Sequence, residues 1–494
     1  VILFASVRHD GLSIAEIAKK EISKASGLAT SIAVLFILVI TMAGLAIAVV
    51  NALYDSPWGT FTVAATIPIA IFIGLYLRYL RPGHIGEGTV IGVSLVLLGV
   101  FVGPMVQSSW LAPYFTFDKG QISIMLAVYG FVAAALPVWL LLAPRDYLST
   151  YMKIGTISAL ALGIIIVQPQ IQMPAFTSFI YGGGPIIPGP VWPFMFITIA
   201  CGAVSGFHSL IATGTTSKML TNESEIRALG FGGMLVESFV ALMALIAATS
   251  LFPGDYFAIN TSPAVFATLN MHTLDLGNLS HMVGENVAGR PGGAVSLAVG
   301  MAYIFAKLPG LEKLMSFWYH FAIMFEALFI LTTIDAGTRV GRYLIQELGG
   351  MVYKPLKDPH WKPGMVGASA LMSLTWGYLV YGGSISTIWP LFGVANQLLG
   401  SMTLAIGTTI LFRMGKAQYA WTTMIPMSFL TVTTVAAGYL NITMNYLPSK
   451  NYLLAVASGI MIVLVVFVIG DAVCTWIRIR SEQELSSQEI HNNL

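Results

Sequence analysis

About thirteen apolar stretches recur along the chain, at 29–53, 60–79, 88–106, 121–143, 152–169, 192–213, 231–251, 292–308, 315–335, 364–381, 388–412, 418–439 and 451–476. A helix needs roughly 20 mainly apolar residues to cross a bilayer, and most of these stretches reach or approach that length. No polar interval between them is long enough for a sizeable second domain. The pattern predicts an all-α, polytopic transmembrane helix bundle forming one domain over 29–476, with a leading segment 1–28 and a short polar tail 477–494.

Lys and Arg are enriched in short cytoplasmic loops, so their placement orients the spans. The leading segment holds Arg8, Lys19, Lys20 and Lys24 and is assigned inside. Its apolar positions Ile14, Ile17, Ala18 and Ile22 have helical spacing and predict a short amphipathic interfacial helix. The loop at Asp55 has no basic residue and goes outside. Arg78 and Arg81, Arg145 and Lys153, and Lys218 and Arg227 then fall inside in turn. The basic region 336–363 stays inside if 292–308 is a re-entrant or interfacial segment, which leaves about twelve spans and puts both chain ends in the cytoplasm. The apolar stub before Arg8 reads as the last turns of a membrane helix, so the sequence is expected to be a fragment. Trp58, Trp110, Trp192, Trp389 and Trp476 sit near predicted span ends, as an interfacial belt requires. Segments 29–79 and 364–412 share a weak helix–loop–helix likeness that carries no fold argument.

Composition supports the same reading. Of 494 residues, 56% are hydrophobic and 9% charged, against about 25% charged in soluble domains. Lipid is therefore the expected solvent of the outer face. A net charge of +2 and the lack of a basic, aromatic-laced patch give no sign of a nucleic-acid partner. Cys201 and Cys474 both lie in apolar segments and suggest neither a disulfide framework nor a metal site.

Charges within spans cost roughly 2.5–3.5 kcal/mol at the helix centre and mark candidate functional positions. Glu326 lies about 16 Å into its span at 1.5 Å per residue, near the midplane, and is a candidate proton carrier. A structural carboxyl is the alternative. Glu237 is a second proton-coupling candidate. Gly232 and Gly233, one turn before it, are expected to permit a close helix crossing. In the stretch 201–218, Ser205, His208 and Ser209 share one helical face, and a run including Thr213, Thr215 and Thr216 weakens the helix. Broken helices with exposed backbone groups are a common binding device of transporters, so these residues are candidate substrate contacts; a satisfied interhelical histidine is the competing reading of His208. Asn396 is a further polar candidate within an apolar span. Asp335, Arg339 and Arg342, at i, i+4 and i+7, form one charged stripe that reads as a structural salt bridge or a gate, and Arg145 and Asp146 mark a helix end in the same way. His320 is placed at the interface.

Enzyme chemistry finds little support. There is no His-Glu-x-x-His zinc pair, the serine at 205 lacks the glycine two positions earlier that an intramembrane protease needs, and no glycine-rich loop has phosphate-binding spacing. No cofactor is called for.

Several strings closely resemble the carbon starvation protein A family: Ser56-Pro-Trp-Gly-Thr, Leu80-Arg-Pro-Gly-His-Ile-Gly-Glu87, Leu136-Pro-Val-Trp-Leu-Leu-Leu-Ala-Pro-Arg-Asp-Tyr-Leu-Ser-Thr150, Cys201-Gly-Ala-Val-Ser-Gly-Phe-His208, Trp318-Tyr-His-Phe and Trp389-Pro-Leu-Phe-Gly-Val-Ala-Asn-Gln397. The resemblance runs from Val1 to beyond Arg413. It implies a multi-pass bacterial inner-membrane protein induced in carbon starvation, with members linked to peptide uptake and relatives to proton-driven pyruvate import. It also implies the amino acid–polyamine–organocation fold, two inverted five-helix repeats around broken helices. Further membrane helices ahead of Val1 are expected from the same likeness, and part of the binding residues with them.

The expected function is therefore a secondary active transporter, a proton symporter for peptides or pyruvate. H+ is the expected coupling ion, with Na+ open because backbone carbonyls and hydroxyls coordinate it without a readable motif. A membrane sensor that binds the nutrient without moving it is the alternative from another class, and its usual mark, a soluble signalling domain, is not found in the 477–494 tail.

Overall fold

The computed structural model of the chain describes residues 1–199, 202 and 204–492, and all regular elements among them are helices. Cys201 and Ala203 lie outside the described residues. The long elements are α1 (Lys24–Leu53), α2 (Pro57–Leu75), α3 (Ile85–Gln107), α4 (Lys119–Ala135) and α5 (Leu142–Val167). There follow α6 (Val191–Ile199), α7 (Gly206–Ile211), α8 (Glu225–Thr249), α9 (Ala294–Ala306) and α10 (Met315–Gly349). The last four are α11 (Lys362–Gly382), α12 (Ile385–Arg413), α13 (Trp421–Leu440) and α14 (Tyr452–Asn492). Nine helices among the described residues are long and apolar enough to cross a membrane, and the chain is a multi-pass membrane protein.

Local chemistry sets many of the ends. The Ser56 side chain accepts from Gly59 N at 3.2 Å and Pro57 occupies the first turn of α2, where a missing N–H costs nothing. Asp118 and Gln121 form a reciprocal capping box at the start of α4. That helix stops at Ala135 because Pro137 follows, so the apolar stretch expected over 121–143 divides between α4 and the start of α5.

Helices α1, α10 and α12 form the core. In their most apolar windows 72%, 72% and 89% of residues are buried, against 11% in α8. Helices α10 and α12 each pack on α1, and the remaining helices pack around these three. Helices α1 and α10 run in opposite directions, as do α11 and α12, so Leu53, Lys119, Met315 and Ile385 gather at one end of the bundle. Lys24, Gly349 and Arg413 gather at the other, here called the basic end.

Several expectations need correction. The stripe Ile14, Ile17, Ala18 and Ile22 is buried in the core against α1 and not laid on lipid. Residues 336–349 continue α10 and are not loop, because the charges there find partners inside the protein (below). The re-entrant or interfacial reading of 292–308 is not among them: helix α9 there has 13 residues, about 20 Å at 1.5 Å per residue, short of a ~30 Å hydrocarbon core. Trp58 and Trp476 are buried packing residues and not belt members, while Trp110 and Trp192 are exposed. The tail continues as helix to Asn492.

Candidate functional site

Two polar constellations lie in this apolar bundle. The first is a helix interruption. The stretch expected as one segment over 192–213 is split: α6 ends at Ile199, Ser205 has extended backbone, and α7 begins at Gly206. The break thus lies ahead of Ser205 and not in the threonine run, which forms a π turn over Ala212–Thr216. Helix α12 holds the break. The Asn396 side-chain Oδ1 accepts the Phe207 N–H at 2.7 Å and the Ser205 hydroxyl at 3.2 Å. Crossing this closely requires glycine at 206, since a Cβ there would lie 2.2 Å from the Asn396 carbonyl oxygen and 2.7 Å from Gly400 N. Asn396 is fully buried, and its Nδ2 finds no partner among the described residues.

The expected contact residues divide accordingly. Ser205 and Asn396 are at the break. Ser209 and Thr213 are buried, and their hydroxyls donate to the Gly206 and Ser209 carbonyls at 2.5 and 3.0 Å; Thr403 of α12 donates to Ser209 Oγ at 2.9 Å. Thr215 and Thr216 both donate to the Ile211 carbonyl. These four hydroxyls spend their protons on carbonyls of their own helical stretch. His208 faces outward from α7 and meets Glu237 of α8, Nε2 to Oε2 3.6 Å, with both side chains partly exposed. The two candidates are brought together, but not by the expected crossing: Gly232 and Gly233 face open space on the sparsely buried α8.

Truncating Asn396 tests the hold on the break. Asn396→Leu leaves the buried Phe207 N–H without its acceptor, and an unmet buried donor costs about 1–3 kcal/mol. The expected result is a lower melting midpoint of the purified protein, with Ser205→Ala showing a smaller shift.

The second constellation is a charge network between α4, α5 and α10. Arg145 Nη1 lies 3.9 Å from Asp335 Oδ2, and both side chains are 1% exposed. The Tyr129 hydroxyl bridges them, donating to Asp335 Oδ2 at 2.5 Å and accepting from Arg145 Nη1. Arg145 Nη2 donates to Thr66 Oγ1 at 3.3 Å. Asp335 is therefore paired across helices, and not along its own stripe with Arg339 and Arg342. Those two guanidiniums donate to the Ala133, Leu136 and Ala134 carbonyls at 2.6, 2.7 and 2.9 Å. Unpaired carbonyls and the negative dipole end at the C-terminus of α4 draw them there. Two turns along α5, the Lys153 ammonium sits over the Phe329 ring at 4.4 Å, and its charge acts on Asp146 and Glu326. Charged groups thus line the α5–α10 seam from Asp335 to Glu326.

Sequence reasoning missed Tyr129. A tyrosine in an apolar stretch carries no local sign that its hydroxyl completes an ion pair with residues 16 and 206 positions away. It also missed a third cluster around Glu285, whose loop reads as solvated; His320, expected at the interface, is fully buried there. No group of three or more His, Cys, Asp or Glu that would hold a metal ion occurs among the described residues.

Comparison with known proteins bears on what such an arrangement serves. The sequence model described as carbon starvation protein CstA matches residues 1–437. The chain is 51% identical over 490 residues to the peptide transporter CstA of Bacillus subtilis, covering 98% of this chain and 82% of that one. It is 49% identical to the peptide transporter CstA of Escherichia coli, covering 89% of this chain but 66% of that one. The pyruvate/proton symporter BtsT of Escherichia coli is 38% identical over 572 residues, covering 99% of this chain and 79% of BtsT.

Proposed function

Because this chain belongs to the carbon starvation protein CstA family, we propose that it is a secondary active transporter that imports peptides or pyruvate together with protons. The observation that carries this reading is the helix interruption that includes Gly202, Val204 and Ser205, with a buried amide nitrogen of Asn396 beside it that has no partner among the described residues. A break frees backbone groups to meet a ligand inside the bundle, as transporter sites require. In this reading Asn396, Ser205 and the backbone of the break contact the substrate, with His208, Ser209, Thr213, Thr215 and Thr216 around them.

Proton coupling is assigned to Glu326 and Glu237. Glu326 lies deep in α10, where a carboxyl crosses the membrane interior most cheaply when it holds a proton. Glu237, paired with His208, links proton movement to the helix that carries the break. The Arg145–Tyr129–Asp335 network is the gate or strut between α4, α5 and α10, and Asp146 belongs to the same seam. The protein resides in the bacterial inner membrane with both ends of this chain cytoplasmic, and its fold is of the amino acid–polyamine–organocation type. The relatives' names support peptide or pyruvate as substrate and H+ as coupling ion.

The test is uptake by the full-length protein in proteoliposomes, offered labelled pyruvate or a labelled dipeptide with and without an inward proton gradient. Accumulation of either above the no-gradient level is expected. Binding of either without accumulation would overturn the reading in favour of a sensor.

A further inference from the structure

At the end of the bundle opposite the basic end, the loop 284–292 between the short helix Leu276–Val283 and α9 is fastened by one carboxylate. Glu285 Oε1 accepts from the Tyr319 hydroxyl at 2.5 Å and from Arg290 Nη1 at 3.4 Å. The same Arg290 nitrogen donates to the Ala52 carbonyl at the end of α1, at 3.1 Å, and its guanidinium lies over the Tyr54 ring. Arg290 and Glu285 thus join the ends of α1 and α10 through the loop.

His320 completes the cluster in an unusual way. Its ring stacks on Trp58 with centroids 3.7 Å apart and planes 6° from parallel. Nδ1 is 2.9 Å from the Ser316 carbonyl oxygen, which only accepts, so Nδ1 carries a proton. In a neutral ring Nε2 is then a bare lone pair, and it faces Glu285 Oε2 at 3.8 Å. Nε2 has no hydrogen-bond partner among the described residues. Two buried acceptors therefore face each other at 3.8 Å, beyond hydrogen-bond length, and a proton on Nε2 draws them together.

The neighbours suit that proton. Burial pushes the Glu285 pKa up, but the adjacent His320, Arg290 and Ser56 reverse this and hold it down to about 2, so the carboxylate stays charged. The Trp58 face attracts a cation stacked on it. A shallow depression of about 600 Å³, lined by Ser280, His281, Glu285 and Asn286 among others, opens beside the loop. The ionisable groups around the gap are Glu285, Arg290 and His281 from the loop and the short helix before it, Tyr54 and Asp55 from the α1–α2 connection, Lys119 from α4 and Tyr319 from α10.

We propose that the space between His320 Nε2 and Glu285 Oε2 is a proton-binding site, and that the bound proton fastens loop 284–292 over the ends of α1 and α10. Proton loss turns the imidazolium–carboxylate pair into two facing acceptors and loosens the loop. The proposal rests on the transporter reading only for its use, as an outer clasp that closes when a proton is present.

The test is labelling of Val287→Cys, a position in the loop that is fully buried, by a membrane-impermeant maleimide, in the full-length protein reconstituted in liposomes without other cysteines. Each rate is divided by the rate in a His320→Gln variant at the same pH, which cancels the thiol's own titration. The glutamine amide donates to Glu285 at every pH and holds the loop closed. The ratio is expected near one at acidic pH and to rise several-fold as the pH is raised. Glu285→Gln, whose amide donates to neutral Nε2, gives the same reference if His320→Gln fails to fold. His281→Gln leaves the rise intact. A ratio that stays flat, or a rise that disappears in His281→Gln, overturns the proposal. Labelling needs no transport, so a flat ratio beside proton-driven uptake removes this site alone, whereas a normal rise without uptake removes the transporter reading.

Discussion

Arg145→Met is expected to destabilise the protein by about 3–5 kcal/mol, the usual cost of leaving one half of a buried ion pair behind. Asp335, 1% exposed, keeps only the Tyr129 hydroxyl when the guanidinium is gone, and Thr66 loses its donor. Asp335→Leu alone is expected to cost a similar amount, because the guanidinium is then the stranded charge. The double variant Arg145→Met/Asp335→Leu should recover most of the loss, since well-packed apolar pairs replace buried ion pairs at little cost or with a gain. Melting midpoints of the four purified proteins form the cycle. Activity then separates strut from gate. A double variant that is stable and transports makes the network structural, and one that is stable and inert makes it part of the moving machinery.

The second large effect is at Glu326. Glu326→Gln keeps the shape of the side chain and removes its ability to release a proton. Gradient-driven accumulation is expected to fall to the no-gradient level, while exchange of labelled for unlabelled substrate, which needs no net proton movement, persists. Loss of both activities with a normal melting midpoint would place Glu326 in substrate binding. Retention of both would remove it from coupling. Lys153, whose charge acts on this carboxyl from α5, offers the matched control: Lys153→Met should alter the pH dependence of uptake without abolishing it.

How far the sequence discloses this architecture depends on how local each signal is. Long apolar runs predict α1, α2, α3, α8, α13 and α14 well, since lipid solvation is decided residue by residue. The full extent of α10 is only partly legible: Asp335, Arg339 and Arg342 share a helical stripe, but the partners of the two arginines emerge only when the carbonyl end of α4 is placed beside them. The glycines and hydroxyls of 201–218 point to a break, but they place it in the threonine run; its actual position ahead of Gly206 is held by Asn396, 191 residues from Ser205. Trp58 and His320 were both read as interfacial from their distance along a span; their stacking is a fact of tertiary packing alone. Gly232 and Gly233 show the converse error, a small-residue signal on a helix face that nothing among the described residues approaches.

The central claim is that proton and solute move together, and solute-driven proton entry tests it most directly. Liposomes containing the full-length protein and an entrapped pH dye, held at equal pH inside and out with membrane potential clamped, would receive external dipeptide or pyruvate. The account predicts that the lumen acidifies on addition of one of them, and that Glu326→Gln abolishes the signal. Entry of labelled solute at a normal rate with no change in internal pH would contradict it.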